Sequence, residues 1–164
     1  LHHMDDPIYA WKLLTKSLTN KGLMRIGLYS QYAREENLKL DHKINVQDFK
    51  SNLNKIRDMR YHLMKDNLEK FQEIINSPDF YSFSSLRDLL FHVKEHHFNL
   101  LEIQQNLKNL DLNFCGFENK KLIRNFKNKF SADNDIFDLE KWNLYEIENK
   151  NIFLGMYQFW CQKN

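Results

Sequence analysis

Residues 21–30, KGLMRIGLYS, decide the fold. Leu23-Met24-Arg25-Ile26-Gly27-Leu28-Tyr29 is short, mostly apolar and preceded by Gly22. That length suits a strand, and the near-continuous apolar run predicts one buried on both faces. Upstream, Asp6-Pro7 has the residue types of a helix N-cap and first helical position. Ile8, Trp11, Leu14 and Leu18 share one face of that helix, and Asn20-Lys21-Gly22 closes it, with Gly22 suited to a left-handed cap. Helix, glycine, buried strand is the rhythm of an α/β sheet.

The composition fits one globular domain. The 164 residues are 42% hydrophobic and 14% aromatic, with four glycines and two prolines, so the chain can bury a real core. Net charge is +2 and both signs are interleaved. No basic block marks a nucleic-acid or membrane-surface partner, and no apolar run approaches transmembrane length. Cys115 and Cys161 stand far apart in apolar runs, which predicts buried, reduced thiols and a cytoplasmic location.

Downstream of the strand the pattern turns helical. Val46, Phe49, Leu53, Ile56 and Leu63 mark one stripe, with Asn45 as its cap, and Leu68, Phe71 and Ile75 mark a second. Asn99 and Glu102 have capping-box spacing ahead of Leu100, Ile103, Leu107 and Leu110. Leu112–Glu118 predicts another strand. Leu122, Phe126 and Phe130 mark a further helix, and so do Leu139, Trp142 and Tyr145. The aromatic run 152–161 predicts a last strand. About three strands make a thin sheet for such a chain.

The segment 91–98, FHVKEHHF, holds three histidines around Glu95 and spells H-x-x-E-H. His92 and His96 could share a helix face with Glu95 as base of a zinc hydrolase, but no third ligand is marked and no metal is assigned. A structural ion-pair network, Arg87 with Asp88 or Glu95, accounts for the same residues.

Leu1-His2-His3-Met4-Asp5-Asp6-Pro7, a helix, and then residues 21–30 resemble the second half of a class I S-adenosylmethionine-dependent methyltransferase. Residues 29–34 (YSQYAR), Arg87–Val93 with Glu95, residues 114–118 (FCGFE) and residues 155–160 (GMYQFW) resemble a bacterial subgroup often fused to tetratricopeptide repeats. The likeness covers essentially the whole chain. It makes LHHM native sequence from the end of a fourth strand rather than a tag scar.

The resemblance implies an α/β fold: the distal part of a Rossmann-like sheet, about three to four strands. Residues 1–30 supply the end of strand four, a helix and strand five. Residues 31–98 form a large helical insertion, and residues 99–118 the crossover helix and strand six. Residues 119–150 form a helical extension, and residues 151–164 the antiparallel last strand. It also implies a loop, Leu1, His2 and His3, beside the methionine part of S-adenosylmethionine, with at least one histidine in contact. His92, Glu95 and Arg87 become catalytic candidates, with Tyr29 and Asp88 on the substrate side. A histidine can take the acceptor's proton near neutral pH, a carboxylate can orient it, and Arg87 can clamp an acidic group. Tyr29 faces either the site or the core.

The four glycines form no G-x-G turn, so this stretch alone is expected to bind no cofactor. S-adenosylmethionine then belongs to the parent protein. The partners implied are an N-terminal half of the same domain and an acceptor, small molecule or protein, that the sequence does not identify. The fragment alone is expected to be inactive. The rival reading is a non-catalytic helical module that binds another protein.

Overall fold

A computed structural model describes residues 1–34, 53–65, 75–76, 78–82, 84–86 and 95–164. The chain divides into two compact units, residues 1–34 with 94–164, and residues 35–93. The first is α/β and carries a four-stranded mixed sheet.

Helix α1 (Pro7–Ser17) starts as the sequence predicts: Asp6 accepts the Tyr9 N–H and Pro7 takes the first position. Its buried face is Pro7, Trp11 and Thr15, whereas Leu14 of the expected stripe is 46% exposed. Its exit also differs from expectation. Lys21, not Gly22, takes the positive φ of 62°. Gly22 serves close approach instead, because a Cβ there would lie 2.8 Å from the Thr19 carbonyl oxygen.

Strand β1 (Leu23–Ser30) alternates, with Ile26, Leu28 and Ser30 buried. Leu23 and Arg25 are exposed on the other face, so the expectation of burial on both faces is corrected. Arg25 there bonds Glu118 and Gln158. One arginine inside the apolar run was the signal of a wet face.

Beyond β1 come β2 (His97–Phe98), α3 (Leu100–Asn109), β3 (Leu112–Phe117), α4 (Lys120–Lys127), α5 (Leu139–Glu148) and β4 (Tyr157–Lys163). The label α2 is kept for Leu53–Lys65 in the second unit. The sheet order is β2-β1-β4-β3. The pairing of β2 with β1 is parallel, Tyr29 opposite His97 and Ser30 opposite Phe98. The last strand, β4, lies antiparallel between β1 and β3. Among the described residues, positions 23–28 of β1 pair on one edge only, with β4.

One face of this sheet carries the core. Ile26, Leu28, Phe117, Tyr157 and Phe159 meet Trp11 of α1, Ile103 and Leu107 of α3, Phe126 of α4 and Trp142 of α5. Trp142 stacks on Phe126 with centroids 3.7 Å apart and meets Phe117 edge-on at 4.9 Å. Helix α3 opens with the expected capping box: Asn99 accepts the Glu102 N–H, and Glu102 accepts that of Asn99. Cys161 is buried, which pushes its thiol up to about 12. Cys115 is half-buried rather than buried, and both are free.

In the second unit, α2 buries Ile56, Met59 and Leu63, and Phe80 and Leu86 are also buried. The predicted stripe over residues 45–49 and all of the second stripe but Ile75 lie outside the described residues.

Candidate functional site

The carboxyl ends of the two parallel strands gather the titratable and aromatic groups. Register sets the arrangement. Tyr29 and His97 are ladder partners, so their side chains leave the sheet on the same face. Ser30 and Phe98 leave on the other and are buried in the core. Tyr29 therefore faces away from the core.

Residues 1–4 lie over this end. His2 donates from Nδ1 to the Gly27 carbonyl oxygen, 3.2 Å away, which fixes its tautomer. Its own carbonyl accepts the His96 N–H at 2.9 Å, tying the first residues to the segment entering β2. The His2 ring sits 4.3 Å from the Tyr29 ring and 4.2 Å from that of His3. His2 is half-buried and His3 exposed. Burial lowers the pKa of His2, helped by the neighbouring His3, which favours the neutral ring. Leu1 packs against the core edge.

Arg34 closes the other side. Its guanidinium lies 3.9 Å over the Tyr29 ring, and Nε is 3.3 Å from Glu95 Oε1. That second contact is an ion pair without hydrogen-bond alignment, since the buried Nε has no aligned acceptor. Glu95 Oε1 also accepts from His97 Nε2 at 2.7 Å. Burial alone would raise the Glu95 pKa. The His97 hydrogen bond and the charges of Arg34, His97 and His3 outweigh it and hold the carboxyl below its ordinary value.

Beneath the sheet, Glu146 is fully buried. Its carboxylate accepts the Ser30 hydroxyl at 2.5 Å and the Tyr157 hydroxyl at 2.8 and 2.7 Å. Ser30 Oγ in turn accepts the Ala33 N–H at 3.1 Å, opening the helical turn 31–34 that delivers Arg34.

Of the residues singled out in the sequence, the structure brings Leu1, His2, His3, Tyr29 and Glu95 to one end of the sheet. Arg87, Asp88 and His92 lie outside the described residues. Glu95 finds its cation in Arg34 and a hydrogen-bond donor in His97. Residues 97–98 are extended rather than helical. Among the described residues, no three His, Cys, Asp or Glu side chains converge as a metal site requires.

Glu146 lies outside every motif, and Arg34, His97 and Tyr157 lie within residues 29–34, 91–98 and 155–160 with no role of their own assigned there. For His97 a signal existed: positions 95 and 97, two apart in extended chain, share a face. For Arg34 the sign was Ser30 with Ala33 three residues on, the spacing of a serine-capped turn.

Among the described residues no helix is long and apolar enough to cross a membrane. Compared with known proteins, the chain matches no family model and no curated protein sequence.

Proposed function

We propose that this chain is the distal part of a Rossmann-like domain that transfers a methyl group from S-adenosylmethionine to an acceptor outside nucleic acid and membrane. The observation that carries the reading is the strand order. The run that resembles the family's last strand is β4, and it lies antiparallel beside β1 and β3, which resemble strands five and six. The loop that resembles the donor-side loop, residues 1–3, packs over Tyr29 at the carboxyl end of a parallel strand, where nucleotide-like ligands bind in such sheets.

The donor's fit to these residues is partial. The ring faces of His2 and His3 and the Tyr29–Arg34 stack suit the lining of its amino-acid end and the acceptor side. No glycine turn for a nucleotide is present in the sequence, so those contacts fall to a preceding half of the domain. When bound, the donor supplies an electrophilic methyl. The residues here align an acceptor and exclude water. Glu95, ionised and doubly engaged, orients His97 rather than taking a proton itself.

Among the described residues the second edge of β1 at positions 23–28 has no strand partner, and that is where the preceding half would add its strand. A groove of about 420 Å³ runs beside it, lined by Leu1, Leu14, Leu18, Leu23 and Ile26. Exposed apolar side chains on α1 and β1 favour the second reading, a protein-binding module, because Tyr9, Leu13, Leu14 and Leu23 are each 46–59% exposed.

Calorimetric titration of S-adenosylhomocysteine separates the two. Binding is expected for a protein extended upstream by roughly 100–150 residues, about one half-domain, and absent for the present chain. No binding by either leaves the module reading.

A further inference from the structure

Glu146 lies on the far side of β1 from the Tyr29 cluster, and nothing in the chemistry above uses it. Its carboxyl is fully buried on α5. From β1 it is met by Ser30 and from β4 by Tyr157, whose hydroxyl also feels Tyr32. These are hydroxyls. Among the described residues no charged side chain acts on it. A buried carboxylate without a cation is costly, so the group keeps its proton up to about 7: burial drives the shift, against the Ser30 and Tyr157 hydrogen bonds.

The connection to the site runs through one atom. Ser30 Oγ donates to Glu146 and accepts the Ala33 N–H. Tyr29 precedes that joint, and the turn it caps carries Arg34, which lies over Tyr29 and against Glu95. A change at Ser30 is thereby a change in where Tyr29 and Arg34 are held. With Glu146 neutral, the four oxygens of the three side chains share two hydroxyl protons and one acid proton. With Glu146 ionised, the site gains a charge that only two hydroxyls stabilise, and movement of Ser30 or entry of water relieves it.

We propose that Glu146 is a positioning residue whose protonation, relayed through Ser30, sets the placement of Tyr29 and Arg34 and so opens or closes the cluster of His2, Glu95 and His97. The inference rests on the reading of this face as a ligand site. It adds that the site is assembled in the protonated state and loosened when the proton leaves.

The test is side-chain NMR on the chain carrying carbon-13 glutamate and nitrogen-15 arginine, from about pH 5.5 to 8.5. Two resonances are followed, the Glu146 carboxyl carbon and the buried Arg34 Nε–H. In the wild type, Arg34 should show a step with the Glu146 midpoint. Glu146→Gln, which mimics the neutral acid, should lose that step. Ser30→Ala should keep the Glu146 titration and lose the Arg34 step, and it decides the matter if the glutamine variant does not fold. An Arg34 profile identical in wild type and Ser30→Ala overturns the proposal. So does a Glu146 midpoint at the ordinary carboxyl value. Neither readout involves a ligand. If S-adenosylhomocysteine fails to bind the longer protein while the Arg34 step persists, the ligand reading fails and the relay stands.

Discussion

The guanidinium carbon of Arg34 lies over the ring of Tyr29, 3.9 Å from its centroid, while its Nε faces Glu95 at 3.3 Å. One side chain thus joins the end of β1 to the residue that enters β2. Both members of the ion pair are at most 13% exposed, so solvent screens them little.

Arg34→Leu should therefore destabilise the fold by about 3 kcal/mol, because it takes the arginine charge from a largely buried carboxylate and leaves it to His97 alone. Arg34→Lys should recover part of that loss but not the ring stack. Urea unfolding of the three proteins at neutral pH measures both differences. Equal stability of Arg34→Leu and wild type would remove Arg34 from the cluster's support.

Glu95 should make the fold acid-sensitive. Its folded pKa lies below the unfolded value near 4.5, so its contribution is present above about pH 4.5 and lost as pH falls through the folded pKa. Glu95→Gln should flatten that acid limb. Melts at a few pH values below 5 compare the slopes.

The contribution of Glu146 has the opposite sign. Its folded pKa, about 7, lies above the ordinary value near 4.5, so the folded state binds the proton more tightly. Stability is then greatest below about pH 4.5 as far as this group is concerned. It falls as pH rises toward 7, and the loss is complete above that. That difference is worth about 3 kcal/mol. Glu146→Gln should remove this loss, so the variant gains on wild type between about pH 5 and 8. A wild-type profile as flat as the variant's over that range would contradict the assignment.

The aromatic core should respond steeply. Trp142 is fully buried, stacks on Phe126 at 3.7 Å and donates from Nε1 to the Ile136 carbonyl oxygen. Trp142→Ala should cost about 3–5 kcal/mol, read from the urea midpoint by circular dichroism.

The exposed apolar edge predicts self-association of the chain alone. Leu14 and Leu23 are 46% and 56% exposed beside a strand edge that has no partner among the described residues. Leu14→Lys with Leu23→Lys should change stability by less than about 1 kcal/mol. The pair should also shift sedimentation from larger species toward monomer. A wild-type chain that sediments as a single monomer would show the edge to be harmless.

Much of the local structure was legible in the sequence because its causes are local. Asp6-Pro7 opens α1, and Asn99 with Glu102 caps α3, because side chain and backbone partner lie three residues apart. Strand β1 was legible as a strand from its length and apolarity. Its burial was not, since a run of apolar residues does not say which face another layer will cover. The left-handed residue at the end of α1 was misplaced by one position, from Lys21 to Gly22, because a glycine needed for close approach reads the same as one needed for positive φ.

By itself the sequence determined that His2, His3, Tyr29 and Glu95 are worth attention, together with the elements that carry them. Only the tertiary structure decided that Tyr29 turns from the core toward His2, that Glu95 pairs with Arg34 and His97, and that Glu146 lies under Ser30. The Ser30–Glu146 contact joins residues 116 positions apart, and Tyr29 faces its side of the sheet because His97 lies beside it in the ladder. Periodicity reports which face of an element is apolar. It carries no information on which distant polar group will meet that face, because that partner is set by strand register and helix packing across the whole sheet.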